Sequence, residues 1–274
     1  MMQAASRESY RAATERLAAY ARGAEPSAVA ATADDLLAVA GLLRREPRLR
    51  RALSDPARSG ADRAGLLGDM LRGKVGADGL DLLTELVSGR WSAPSELLDG
   101  AERLGVEALL ASAEASGDLG EVEDELFRFG QVVAGQPALS AALSDPVGPA
   151  ERRVELAREL LASKARPVTV RLVEVALNGF GGRSFTGSLT RLVELTADRR
   201  DRRVAYVTVA APLSDEDEQR LGARLSAMYG REVSVKQMVD PSVLGGVSVR
   251  VGSDLYDGTV LRRLNETRNA LAKR

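Results

Sequence analysis

The chain has 274 residues, of which 45% are hydrophobic and 28% are charged, with a formal net charge of −1. This length allows one large domain or two to three smaller domains with packed cores. The chain contains no histidine and no cysteine, which excludes imidazole catalysis, Cys-His nucleophiles and the usual zinc sites. The balanced charge does not favour nucleic acid, whose recognition usually needs a strongly basic face. We therefore expect no metal, no cofactor and no nucleic acid.

The sequence predicts neither a signal peptide nor direct membrane insertion. Its first twenty residues are amphipathic and carry mixed charges, unlike the apolar centre of a signal peptide. The longest uncharged run, residues 129–144, includes glycine, glutamine and proline and is shorter than the roughly 20 apolar residues of a spanning helix. Any association with a membrane is therefore expected to go through a partner.

An internal repeat organises the first two thirds of the chain. Residues 47–56 align with residues 137–146 at an offset of 90, and both segments contain the sequence Ala-Leu-Ser-Asp-Pro. Further identities at the same offset include Arg63 with Arg153. Identities in register over such a length indicate a duplicated structural unit.

Each copy of the repeat predicts the same series of helices. A long helix is expected to stop before Pro47 or Pro137, because the residue before a proline avoids the helical region. A short helix and two amphipathic helices follow, and Gly89 or Gly179 is the expected C-cap. A helix over residues 104–115 is predicted to close the first copy and to open the second.

The last seventy residues change from helical to strand periodicity. A strand is predicted over residues 204–210, followed by a helix capped by Ser214 and rich in acidic residues in its first turn. Two more strands are predicted, over residues 233–239 and 245–252, and a closing helix is expected to begin near Asp257.

The predicted fold is therefore mainly α with a small α/β C-terminal domain. Two tandem helical-bundle units are followed by a small mixed β-sheet with two helices. The predicted domain boundaries are 1–103, 104–202 and 203–274.

The segment of residues 239–264 resembles the C-terminal signature of the delta (OSCP) subunits of F-type ATP synthases. That signature combines a strand of the type D-P-[ST]-[LI]-[IL]-G-G, a short strand ending near D-G-[ST], and a helix with spaced arginine and leucine. The resemblance covers residues 104–274 as an ordinary subunit, and the preceding residues look like an extra copy of the helical domain. The signature residues are Asp240, Pro241, Gly245, Gly246, Gly252, Asp257, Gly258 and Leu264.

The resemblance implies a non-catalytic stator, or peripheral stalk, subunit that supports ATP synthesis coupled to proton transport. The helical domain would bind N-terminal helices of the alpha subunits, and the C-terminal domain would bind the C-terminal helix of the membrane-anchored b subunit. The protein would then lie peripherally on the cytoplasmic face of the cell membrane. The candidate residues of a partner groove in the helical domain are Val106, Leu109, Leu110, Leu189 and Leu192.

Several sharper motifs have simpler interpretations. The Gly245-Gly246 pair precedes a strand and lacks the Lys-Ser/Thr of a phosphate loop, so a turn with close backbone approach is favoured. Trp91 is expected in the core or in a groove lining. The basic run of residues 198–203 is interpreted as the solvated end of a helix rather than a partner patch.

Two alternatives to the stator hypothesis remain open at the level of sequence. A helical scaffold or regulatory binding module unrelated to ATP synthase would explain the repeat. An enzyme that uses Asp, Glu, Lys or Ser would show a sharp pH optimum that one carboxylate substitution abolishes.

Overall fold

The computed structural model describes residues 2–145, 148–200, 202–230, 232–243, 245–252, 254–260 and 262. The chain divides into two compact units, one with residues 1–122 and 142–188 and the other with residues 123–141 and 189–274. The helices are α1 (Ala4–Ala21), α2 (Pro26–Arg45), α3 (Pro47–Leu53), α4 (Gly60–Leu71), α5 (Ala77–Ser88), α6 (Pro94–Ala115), α7 (Leu119–Ala134), α8 (Pro137–Ser144), α9 (Ala150–Leu161), α10 (Pro167–Leu177), α11 (Phe185–Arg199) and α12 (Asp215–Tyr229). The strands are β1 (Arg202–Val209), β2 (Glu232–Val239), β3 (Val247–Val251) and β4 (Asp254–Asp257).

Prolines stand at the beginning of five helices, at Pro26, Pro47, Pro94, Pro137 and Pro167. The proline ring fixes φ near its helical value, and its missing N–H belongs to the first turn, where no intrahelical acceptor exists. The same ring disfavours helical geometry in the preceding residue. The predicted helix ends before Pro47 and Pro137 are thereby confirmed.

The two glycines predicted as C-caps end their helices for different reasons. Gly179 follows α10 with a φ of 77°, the left-handed conformation typical of a glycine after a helix. Gly89 follows α5 with a φ of −66°, so it has no need of left-handed geometry. A Cβ at Gly89 would lie 2.4 Å from the Cβ of Ser9 in α1. Close approach of α1 therefore explains the glycine at this position.

Helix α6 joins the two copies of the repeat within the first compact unit. It packs against α1 and α2 of the first copy and against α10 of the second. The Glu102 carboxylate of α6 pairs with Arg44 of α2 and accepts the N–H of Gly181 at 3.2 Å. The predicted sharing of this helix is confirmed. The predicted boundary at residues 103 and 104 lies inside α6, and the three-domain division stays a prediction.

Helix α2 is the one helix within the described ranges whose length and composition would allow it to cross a membrane, with a mean hydropathy of 1.3. Its side chains Val29, Leu36 and Leu43 are buried, and the helix packs along α6. A core helix passes the same test of length and hydropathy, so this feature supports no membrane assignment.

A mixed four-stranded sheet forms the centre of the second compact unit, in the order β2-β1-β3-β4. β1 and β2 are parallel and are connected through α12, whereas β3 is antiparallel to both β1 and β4. Helix α12 packs against one face of the sheet through an apolar core. The buried core residues are Ala205, Val207, Val209, Leu225, Val233, Val249 and Val251.

Helix α12 begins and ends as its sequence predicts. The Ser214 hydroxyl accepts a hydrogen bond from the Asp217 N–H at 3.2 Å, and the acidic first turn suits the positive end of the helix dipole. Gly230 ends the helix with a φ of 68°, which glycine adopts without steric cost.

The predicted fold class, mainly α with a small α/β C-terminal part, is confirmed. The sheet has one strand, β4, beyond the three that periodicity predicted, and its four residues are too few for a clear alternation. The predicted closing helix falls largely, and its Leu264 entirely, outside the described residues.

Candidate partner-binding surfaces

The first signature turn lies at one end of the strands, at Asp240. Val209, the last residue of β1, pairs with both Val239 of β2 and Val247 of β3, so these residues lie at the same end of the sheet. The N–H of Asp240 donates to the Val209 carbonyl at 2.8 Å, and the Asp240 carboxylate accepts the N–H of Ser242 at 2.9 Å. The side chain and backbone of Ser242 hold the pKa of Asp240 below its usual range. Pro241 begins a short 3-10 turn after it.

The glycine pair of the signature lies directly against the Asp257-Gly258 turn. Gly245 and Gly246 have φ values of 122° and 79°, which glycine tolerates best. The Gly245 carbonyl accepts the N–H of Val260 at 3.0 Å. A Cβ at Gly246 would lie 2.5 Å from the Gly258 carbonyl oxygen. The predicted turn with close backbone approach is confirmed at this pair.

The Asp257 carboxylate stabilises the turn that faces the glycine pair. It accepts the backbone N–H of Thr259 at 2.9 Å, and the Thr259 hydroxyl accepts the N–H of Arg262 at 3.2 Å. The hydrogen bonds from the backbone and side chain of Thr259 lower the pKa of Asp257. This carboxylate therefore has a local capping arrangement at the point where the sequence predicts that the closing helix begins.

Gly252 lies at the opposite end of the strands from the other described signature residues. Val251 pairs with Asp254, so Gly252 lies in the connection between β3 and β4. Gly252 has a φ of 59°, which suits a turn between antiparallel strands. The signature residues therefore form turns at both ends of the strands and do not form a single pocket.

Large exposed apolar side chains are concentrated in the C-terminal α/β part. Leu255 of β4 is 63% exposed and Tyr256 is 45% exposed. We call these two side chains the β4 surface. The Tyr256 hydroxyl lies 3.2 Å from the Tyr229 hydroxyl, which donates to Asp254 at 2.9 Å. Further exposed apolar side chains in this part are Met228, Val239 and Val260.

A buried ionic cluster connects α7 to β2 within the second compact unit. Glu123 of α7 is fully buried and accepts the Ser234 hydroxyl at 2.8 Å. The same carboxylate pairs with Arg200 at 2.8 Å and with Lys236 at 3.0 Å. Lys236 also pairs with Asp124. These contacts satisfy the buried carboxylate, whose charge would otherwise be costly.

Sequence reasoning missed this cluster although one signal was available. Glu123 occupies the helical stripe that Leu119, Leu126 and Phe129 fill with buried apolar side chains. A charged residue in such a stripe is buried only with a partner. The identity of that partner, more than 100 residues away in β2, has no local sequence signal.

The predicted groove residues of the helical domain are core residues in this structure. Val106, Leu109 and Leu110 of α6 are buried in the first compact unit, and Leu189 and Leu192 of α11 are buried in the second. In the part of the chain that the structure describes, none of these five side chains lies in an open groove. Contact of a partner helix with them stays a prediction.

Other residues that the sequence singled out have structural roles. The Trp91 ring is 6% exposed, and its Nε1 donates to the Leu86 carbonyl at 2.9 Å, as expected for a core or groove-lining residue. Arg200, in the basic run, pairs with Glu123. Among the described residues, no group of three or more acidic side chains could hold a metal ion.

Comparison with known proteins places the chain in a family. The family model for the ATP synthase delta (OSCP) subunit matches residues 106–271. The ATP synthase subunit delta of Salinispora arenicola is 81% identical over 100% of both chains, and that of Streptomyces griseus is 46% identical over 99% of this chain and 100% of the relative. A cryo-EM structure of the Toxoplasma gondii mitochondrial ATP synthase hexamer matches at a TM-score of 0.38 and 18% identity, covering 61% of this chain and 94% of that chain.

The class is a non-catalytic, peripheral-stalk subunit of a membrane-associated complex. The chain belongs to the ATP synthase delta (OSCP) subunit family. The resemblance to this family, and the prediction that the chain is not an enzyme, are confirmed by the membership of the family. The curated relatives extend over the first helical copy as well, so the extra copy is shared with them.

Proposed function

We propose that this chain links the catalytic head of an F-type ATP synthase to the membrane-anchored b subunit, and thereby supports ATP synthesis coupled to proton transport. The helical part, with residues 104–202 as its family-type domain, binds N-terminal helices of the alpha subunits. The α/β part, residues 203–274, binds the C-terminal helix of the b subunit. The complex holds the chain peripherally at the cytoplasmic face of the cell membrane.

The observation that carries this proposal is the family match over residues 106–271, which spans both of these parts. A stator must hold two partners at once without doing chemistry, and an adaptor with two separate binding parts meets that requirement. Helices that dock in grooves, and strand edges that accept a partner, are the common means of such recognition.

The distribution of exposed apolar side chains supports a partner site on the α/β part. Within the described ranges, six large hydrophobic side chains are exposed, and all except Val132 lie in the α/β part. Concentrated exposed apolar surface marks interaction sites in soluble proteins. The β4 surface lies on an edge strand of the sheet, and we assign it to the b-subunit contact.

A pull-down of the tagged chain from gently solubilised membranes tests the overall function. We expect the alpha, beta and b subunits of ATP synthase to co-purify in fixed ratio, as read by mass. Recovery of the chain alone, or with unrelated soluble proteins, would contradict the stator function.

A point substitution on the β4 surface tests the division of partners. Leu255→Asp places a charge on the most exposed apolar side chain of that surface, and we expect b-subunit affinity to fall about tenfold or more. Binding to the isolated head should remain unchanged. The matched control is Val132→Asp on α7, outside the α/β part, where the native side chain is 49% exposed and no effect on b-subunit affinity is expected. Loss of head binding with b binding retained would reverse the assignment.

A further inference from the structure

A groove runs beside α3 in the first helical copy, within the first compact unit. It consists of two adjoining cavities of about 520 and 430 Å³. We call it the Trp91 groove. The residues that line both cavities are Ser54, Pro56, Arg58, Trp91 and Ser92.

Trp91 and two prolines supply the apolar part of the Trp91 groove. Trp91 is held by its hydrogen bond to the Leu86 carbonyl. Its ring lies against Gly100, where an added Cβ would come within 2.4 Å of the ring. Pro56 and Pro94 line the walls. Four serines and four arginines also line the two cavities, and polar groups that converge beside apolar side chains are typical of binding sites.

The rim of the Trp91 groove is basic. Arg51, Arg58 and Arg90 line it. Arg51 and Arg90 have no carboxylate partner among the described residues, and Arg58 lies 3.8 Å from Asp55. The two nearby carboxylates serve the local backbone. Asp55 accepts the N–H of Ala57 at 2.9 Å. Asp62, in the first turn of α4, forms a capping box with Ser59.

The second copy of the repeat shows that the fold does not require this basic rim. At the offset of 90, small uncharged residues replace four arginines of α3 and of the turn that follows it. The buried arginine behind the groove, Arg63, is retained as Arg153. The half-buried Arg50, which donates to the Leu43 carbonyl at 3.2 Å, is replaced together with the more exposed arginines. The second copy therefore folds without the arginines that form the rim. The replaced pairs are Arg48 and Ala138, Arg50 and Ser140, Arg51 and Ala141, and Arg58 and Gly148.

We propose that the Trp91 groove binds an acidic, amphipathic segment of a partner protein. Trp91 and the two prolines accept the apolar side chains of such a segment, and the arginine forks of the rim bind its carboxylates in bidentate fashion. The concave form of the groove, with cavities of about 520 and 430 Å³, favours an inserted peptide over a flat membrane surface. This inference goes beyond the proposed function and does not depend on it.

The experiment uses the full chain and its single tryptophan as the reporter. The probe is a synthetic 16-residue helical peptide with leucines at helical spacing and glutamates elsewhere, and its counterpart carries lysine in place of glutamate. We expect the acidic peptide to shift the Trp91 emission saturably, with an affinity that falls as salt rises. The lysine peptide should leave the emission unchanged.

Charge reversal at the rim supplies the decisive variant. The double substitution Arg51→Glu with Arg58→Glu should weaken binding of the acidic peptide by about tenfold or more. The matched control is Arg72→Glu at the residue that follows α4, whose native side chain is 80% exposed and lies outside the groove lining. Far-ultraviolet circular dichroism verifies that both variants are folded.

Three results would overturn the proposal. One is equal affinity of the rim variant and the unsubstituted chain for the acidic peptide. Another is equal binding of the lysine peptide. The third is arginine-dependent binding of phosphatidylserine–phosphatidylcholine vesicles without binding of the peptide, which would assign the rim to a lipid surface instead.

Discussion

Replacing Arg63 with methionine tests how the first helical copy is held together. The Arg63 side chain is 3% exposed, and its guanidinium donates to five backbone carbonyls at 2.5 to 3.0 Å. In the second copy, Arg153 donates to the Leu177 carbonyl at 3.4 Å, across the same spacing of 24 residues that separates Arg63 from Val87. The five acceptors of Arg63 are Asp55, Arg58, Val87, Ser88 and Gly89.

The expected loss follows from the number of carbonyls left without a donor. Each hydrogen bond contributes about 1 kcal/mol net. Four of the five bonds are only partly buried, so water replaces part of their contribution. We expect Arg63→Met to lower the free energy of unfolding by about 3 kcal/mol, and Arg153→Met to lower it by about 1 kcal/mol.

Urea unfolding of the full chain, followed by Trp91 emission and by circular dichroism, measures both variants. A loss of about 3 kcal/mol corresponds to a fall of about 1 to 2 M in the urea midpoint. Arg63→Lys should give an intermediate loss, because lysine keeps the charge but not the planar fork. Equal midpoints for Arg63→Met and Arg153→Met would refute the reasoning.

Three further predictions follow from the second compact unit. Gly246→Ala should lower the free energy of unfolding by about 3 kcal/mol, and Gly252→Ala by about 1 kcal/mol, as measured by thermal unfolding. The difference is expected because only the Cβ at position 246 would meet a facing carbonyl, and equal losses of stability would contradict that close approach. Glu123→Gln should lower the free energy of unfolding by about 2 to 3 kcal/mol, since a neutral amide cannot balance the buried Lys236 and the partly exposed Arg200. A change under about 0.5 kcal/mol in urea would argue against that role. Asp240 and Asp257 have lowered pKa values, so the stability that they contribute is present above about pH 4 and is lost as the pH falls through the lowered values. The double variant Asp240→Asn with Asp257→Asn should therefore show a shallower decline of melting temperature in acid. An identical decline in the variant and the unsubstituted chain would refute this.

The sequence by itself determined the features that depend on neighbouring residues. Proline positions set the helix starts, Ser214 and its acidic turn set the start of α12, and the repeated Ala-Leu-Ser-Asp-Pro segment showed the duplication. Each of these follows from backbone preferences that extend over only a few residues. The family signature was equally readable, because its glycines and aspartates fix turns locally.

The tertiary structure alone decided which distant groups meet. It made α6 common to both copies, although periodicity predicted only a shared stretch of residues 104–115. It also buried Val106 and Leu189, which the sequence offered as surface candidates, because an apolar stripe looks alike whether a partner or the chain itself covers it. Glu123 and Lys236 are far apart in sequence, and a buried ion pair depends on packing that brings both charges to one place. Local preference has no influence over that distance, so only the folded chain could reveal the pairing.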